Sequence, residues 1–212
     1  MKKLLVLSFI TILIASTFVG CKKGENDPFS LLSRKARITG VWNLTSADYE
    51  EKDVNDGNVD ITSFSYDGEN MTETTDGNGE TYKYSEELTI EKDGTFKSVT
   101  EKEVEYWDNT NLQWTKGIRT ETTEGVWYFL DGNDNLGVEK KERVEFLVEK
   151  YRQIDPDGDT FEYEMSGRSN SWVNIFLLDR LANDEIVTLF DFTQTWGGDS
   201  FTRSGTMTYS KE

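Results

Sequence analysis

The sequence predicts an all-β, antiparallel fold from about residue 40 to the end, and two observations carry that prediction. Aromatic and β-branched residues recur at alternating positions, and short clusters of Gly, Asn and Asp separate the alternating runs. No Pro-rich or Ser-rich linker divides the chain, and no internal repeat of fixed period is present, so residues 28–212 read as one domain. Antiparallel strands must hide their edges, either by closing into an up-and-down barrel or by stacking as a sandwich.

The elements follow in order. Residues 27–38 read as a short helix: Asp27 can cap it, Pro28 suits the first turn, and Phe29, Leu32 and Ile38 can share a face before Gly40 stops it. Tyr82, Tyr84, Leu88 and Ile90 then fall on one parity, followed by Asp93-Gly94 and Phe96, the pattern of a hairpin with a two-residue turn. Further strands are expected over residues 126–130, 144–148 and 161–165, with Trp127 and Phe129, then Val144, Phe146 and Val148, then Phe161, Tyr163 and Met165 facing inward. Residues 172–178 and 186–192 are apolar on both parities and predict a more deeply buried hairpin around residues 181–185. Residues 201–209 form the last strand, for about eight to ten short strands in all.

The N-terminus carries an address. Lys2 and Lys3 precede an apolar run from Leu4 to Val19 that is too short for a span of about 20 apolar residues and gives way to Lys22, Lys23, Glu25 and Asp27. Phe18-Val19-Gly20-Cys21 resembles the lipobox of bacterial lipoproteins, with Phe where Leu is usual, and Cys21 is the only cysteine in 212 residues. The resemblance implies removal of residues 1–20, acylation of Cys21, a tether over residues 21–27 and a lipid bilayer as partner. Lys22 stands where enterobacterial lipoproteins retained in the inner membrane have Asp, and residues 22–27 resemble the export tethers of Bacteroidetes surface lipoproteins. An outer-membrane anchor, periplasmic or surface-exposed, is the expectation.

Composition narrows the chemistry. The formal charge is −17, and −19 once residues 1–20 with Lys2 and Lys3 are gone, so nucleic acid is not an expected partner. Histidine is absent, which excludes Ser-His-Asp and Cys-His catalysis and the commonest metal ligand. No catalytic residue, cofactor or metal site is expected. Asp131, Asn133, Asn135 and Glu142 have calcium-loop spacing, but Leu136 occupies the position that needs Gly, so a hairpin turn is the better account; Asp155-Pro156-Asp157-Gly158-Asp159 also reads as a turn.

Gly40-Val41-Trp42 after a short helix is similar to the Gly-x-Trp motif that opens the first strand of lipocalins, and Gly125-Val126-Trp127 repeats it. With Asp93-Gly94-Thr95-Phe96, residues 175–190 and the terminal Gly205-Thr206-Met207-Thr208-Tyr209, the order of motifs resembles the lipocalin-like domains of Bacteroidetes lipoproteins over about residues 38–211. The resemblance implies a lipocalin-like, antiparallel up-and-down barrel of about eight to ten strands with a short N-terminal helix. It also implies that Trp42 packs across the closed end, with Arg203 from the last strand stacked on it. Trp114, Trp127, Phe129, Phe146, Tyr163 and Trp172 are the expected lining of a ligand cavity, as are Trp107 and Trp196; core filling is the competing role. Two functions stay open: a non-catalytic carrier of a small apolar or amphipathic ligand, or a surface module with a filled barrel whose loops contact a protein or glycan.

Overall fold

The computed structural model describes residues 32–130, 142–165, 172–196 and 199–212. Cys21, the signal and tether segments, Asp27, Pro28, Phe29 and the 131–135 loop lie outside the described residues. The chain is all-β, with a closed antiparallel ten-strand barrel and one short helix on its N-terminal side. That helix, α1 (Arg34–Ile38), starts later than the sequence predicts: Ser33 is the N-cap, in extended conformation, and its Oγ accepts a bond of 3.1 Å from the amide of Ala36. Arg37 is buried and donates from Nη1 to the carbonyl of Leu181, while Arg34 pairs with Glu142, so α1 is tied down across the barrel floor.

The strands are β1 (Gly40–Asn55), β2 (Asn58–Tyr66), β3 (Asn70–Thr75), β4 (Asn78–Ile90), β5 (Thr95–Asp108), β6 (Gln113–Leu130), β7 (Glu142–Ile154), β8 (Thr160–Glu164), β9 (Trp172–Leu181), β10 (Glu185–Trp196) and β11 (Asp199–Lys211). Several are far longer than expected, β1 with 16 residues and β6 with 18. β2 and β3, unread in the sequence, are bounded by Asp56-Gly57 and Asp76-Gly77, whose residues all have positive φ. Both are two-residue hairpin turns. At Asp93-Gly94, by contrast, the turn runs from Glu91 to Gly94 and only Gly94 (φ 101°) is left-handed. Asp93 serves that turn with its side chain, accepting from both the amide and the hydroxyl of Thr95.

The barrel has two circumferences. Near α1, residues 40–43 of β1 pair with residues 87–90 of β4, so β1, β4, β5, β6, β7, β9, β10 and β11 close a ring of eight. Further along, residues 47–55 of β1 pair instead with β2, and the β2–β3 hairpin enters the ring, raising it to ten. β1 serves both levels because a bulge between Leu44 and Ser46 shifts its parity: Trp42 and Leu44 face inward before it, Ala47 and Tyr49 after it.

Two expectations of burial are corrected here. β9 meets β10 only through residues 177–181, and below Leu177 the two strands part, leaving Trp172, Val173 and Ile175 exposed. The deep burial predicted for residues 172–178 requires neighbours on both sides, and residues 172–176 have a paired strand, β7, on one side only among the described residues. β8 likewise pairs only with β7 among the described residues: Phe161, Tyr163 and Met165 share the face of Tyr151, as expected, but only Met165 is buried, and Phe161 and Tyr163 stay exposed for want of a second neighbour. Asp155 to Asp159 form the β7–β8 turn, as read, with the Asp155 carboxylate accepting from Arg119 and Gln153.

Candidate functional site

The ring of eight is plugged. Trp42 is 0% exposed, its Nε1 donates to the Ile38 carbonyl at 2.7 Å, and Lys211 Nζ lies 4.8 Å from its ring centroid. The same ammonium donates to the carbonyls of Thr39 at 2.6 Å and Arg37 at 3.2 Å. Trp127 repeats the arrangement: it is buried, donates from Nε1 to the Glu91 carbonyl at 2.9 Å, and has Lys35 5.8 Å from its centroid. Glycine at the head of the first motif is required, since Gly40 has φ 141° and an added Cβ would sit 2.3 Å from Cε of Lys211.

Arg203 is not the cation over Trp42. Register places Lys211 opposite Trp42 and Arg203 opposite Glu51, eight residues up β11 from Lys211 or about 26 Å at an ordinary strand rise. There Arg203 pairs with Glu51 and lies against the rings of Phe190 (5.1 Å) and Tyr49 (5.6 Å).

Above the plug, where β2 and β3 join the ring, the interior holds a cavity of about 770 Å³. Its floor is a ladder of rings: Phe96 against Phe146 (5.0 Å), Phe146 against Phe176 (4.9 Å) and Phe176 against Tyr209 (5.9 Å). Its upper wall is Tyr49, stacked on Phe64 at 4.6 Å and edge-on to Phe190 at 5.3 Å. The cavity reaches the parting of β9 and β10, where residues of both parities, Val173, Ile175, Phe176 and Leu177, line it.

Between floor and wall stands Glu86. Tyr209 donates to one carboxyl oxygen at 3.0 Å and Tyr84 to the other at 3.3 Å, and no cationic side chain pairs with Glu86 among the described residues. Burial raises the Glu86 carboxyl above the usual carboxylate range, and the two phenol donors pull it back only in part. Burial also pushes the Tyr84 and Tyr209 hydroxyls well up, the nearby Glu86 charge adding to it. Tyr49 is pushed up to about 12, burial outweighing the opposing pull of Arg203.

Of the expected lining, Phe146 is on the cavity. Trp127 and Phe129 pack on each other beside the plug (5.5 Å), with Arg34 4.8 Å above Phe129. Trp114, 67% exposed, stands edge-on to Trp107 near the tip of the β5–β6 hairpin, because those strands run on past their pairing with the rest of the ring. Tyr163 and Trp172 are surface residues, Trp172 lying 5.4 Å from the ring of Tyr151; the side chain of Trp196 lies outside the described residues. Tyr49, Glu86, Phe176 and Tyr209 were missed as lining. For Glu86 the signal was present: it is the acid in the parity row Tyr82, Tyr84, Leu88 and Ile90.

No protein-family model matches this chain, and no curated protein matches it. Fold and site together define a closed antiparallel barrel, plugged at one end by tryptophans and holding an aromatic chamber whose carboxyl, Glu86, has two phenol donors and no cationic partner among the described residues.

Proposed function

We propose that this chain is a membrane-anchored, non-catalytic carrier of a small apolar or amphipathic molecule. The observation that supports this reading is the chamber of about 770 Å³ walled by phenylalanine and tyrosine rings. Ligand sites fall in this size range, roughly 300–1,000 Å³, and polar groups, Asn174 and Thr193 among them, interrupt the rings. Such a volume favours a carrier over a barrel filled by its own side chains. The reading includes the lipocalin-like resemblance, and it includes acylation of Cys21 with attachment to the outer membrane.

The test uses the mature chain from residue 21 with Cys21→Ser, titrated with the neutral amphiphile N-phenyl-1-naphthylamine. Saturable enhancement of the probe's emission at one site per folded monomer is expected. No tryptophan lines the chamber among the described residues, so the probe, not tryptophan quenching, is the reporter. A folded sample that gives no saturable signal sinks the carrier reading. The anchor is tested separately: labelled fatty acid should be incorporated by cells making the natural chain and not by cells making Cys21→Ser, and label on the serine variant would overturn it.

A further inference from the structure

A carboxyl on the chamber wall can choose among amphiphiles. We infer that Glu86 is a subsite for a protonated amine, so that the preferred ligand is an apolar molecule carrying a primary or secondary ammonium group. This rests on the carrier reading and deepens it.

Besides the tyrosines, three ionisable side chains line the chamber: Glu86, Arg143 and Arg203. Arg203 has Glu51 as its partner, and Arg143 is engaged in contacts of its own. Among the described residues that line the cavity, Glu86 alone combines a deep position with no paired opposite charge. A carboxylate accepts about four hydrogen bonds, and the phenols of Tyr84 and Tyr209 supply two, one on each oxygen. Glu86 lines the chamber, so a ligand N–H placed there could satisfy the remaining lone pairs.

The walls suit the same ligand. An ammonium placed at Glu86 lies among Tyr84, Tyr209 and the stacked Phe176, whose ring faces attract cations, and a ring environment strengthens an ion pair by excluding water. A fatty acid anion in the same pose would set carboxylate against carboxylate. A neutral alcohol would gain the apolar contacts and one hydrogen bond without the charge pairing. By linkage, an ammonium bound there would draw the raised Glu86 carboxyl back toward its ionised form.

The experiment compares octylamine, octanol and octanoate as displacers of bound N-phenyl-1-naphthylamine from the mature chain, at pH 7.5. Octylamine should displace the probe at concentrations at least about tenfold below those of octanol, with octanoate the weakest, as close charge pairs in desolvated sites allow. Glu86→Gln, nearly isosteric and still able to hydrogen-bond both phenols, should bring octylamine to the level of octanol and leave octanol within about twofold of its natural value. Octanol binding by the variant reports that its chamber is intact. Equal displacement by amine and alcohol in the natural chain, a preference for octanoate, or an amine preference that survives Glu86→Gln would overturn the inference. In each of those cases saturable octanol displacement leaves the carrier reading standing. Failure of every probe, the naphthylamine included, removes the carrier reading and the amine subsite with it.

Discussion

The plugged base and the chamber above it are built from the same strands and the same kinds of residue, and they end in opposite states of filling. At the base, Trp42, Trp127, Leu181 and Ile186 leave no room, and both indole N–H groups reach carbonyls. A few residues up the same strands, Tyr49, Phe176 and Tyr209 stand around open space. The difference lies in circumference. Eight strands enclose an interior that side chains can just fill, and barrel diameter grows with strand number, so adding β2 and β3 leaves volume that rings of the same size cannot reach across. Whether an inward aromatic acts as a plug or a wall is set by how many strands pass its level.

Substitutions at the base and at the chamber should differ in cost. Trp42→Ala should cost about 3–5 kcal/mol in a urea titration, the usual loss for a buried large aromatic. Phe190→Ala should cost clearly less, because one side of its ring already faces the chamber and has few atoms to lose. Equal losses at the two sites would mean that base and chamber are packed alike. A smaller effect is expected at Gly125, where a Cβ would fall 2.0 Å from the Leu147 carbonyl oxygen at the bulge of the β6–β7 ladder. Gly125→Ala should therefore destabilise by about 1–3 kcal/mol through a forced backbone shift; an unchanged urea midpoint would place that bulge elsewhere.

The smallest effect sharpens the comparison by pH. Burial raises the carboxyl of Glu86 in the folded chain, so its contribution to stability is fully present below the ordinary glutamate range and is lost as pH rises through its own higher value. Glu86→Gln has no charge to desolvate. Its stability relative to the natural chain should be level in acid and should rise across that window to a plateau, as read by thermal melts at successive pH values. A difference that does not change with pH would show that Glu86 ionises without penalty, and the chamber would then be wetter than its aromatic walls imply.

Much of the base was legible and little of the chamber was. Gly40-Val41-Trp42 could be read because a local motif dictates it: a left-handed glycine, an inward ring and a carbonyl four residues back. Arg203 was misplaced because the partner of Trp42 depends on register between the first and last strands, which no local pattern encodes; Lys211 wins by lying directly opposite. Tyr163 alternates as regularly as Phe146 and shares the face of Tyr151, but alternation states only which residues share a face, and whether that face is covered depends on a second neighbour that β8 lacks among the described residues. Glu86 shared its parity with four apolar residues and was passed over as one acid among 40. In a strand whose inward row is otherwise apolar, the exception carries more information than the rule.

The bulge at Thr45 acts as a change of phase along a single wire. Trp42 and Tyr49 are an odd number of residues apart, so in an unbroken strand one of them would have to face water. Thr45, itself exposed and bonded through Oγ1 to the Thr208 carbonyl at 3.1 Å, absorbs the half-period and lets one strand address two compartments. A residue that touches neither the plug nor the chamber thus sets which side chains each receives, and deleting it would exchange the inner and outer faces of the upper half of β1 at one stroke.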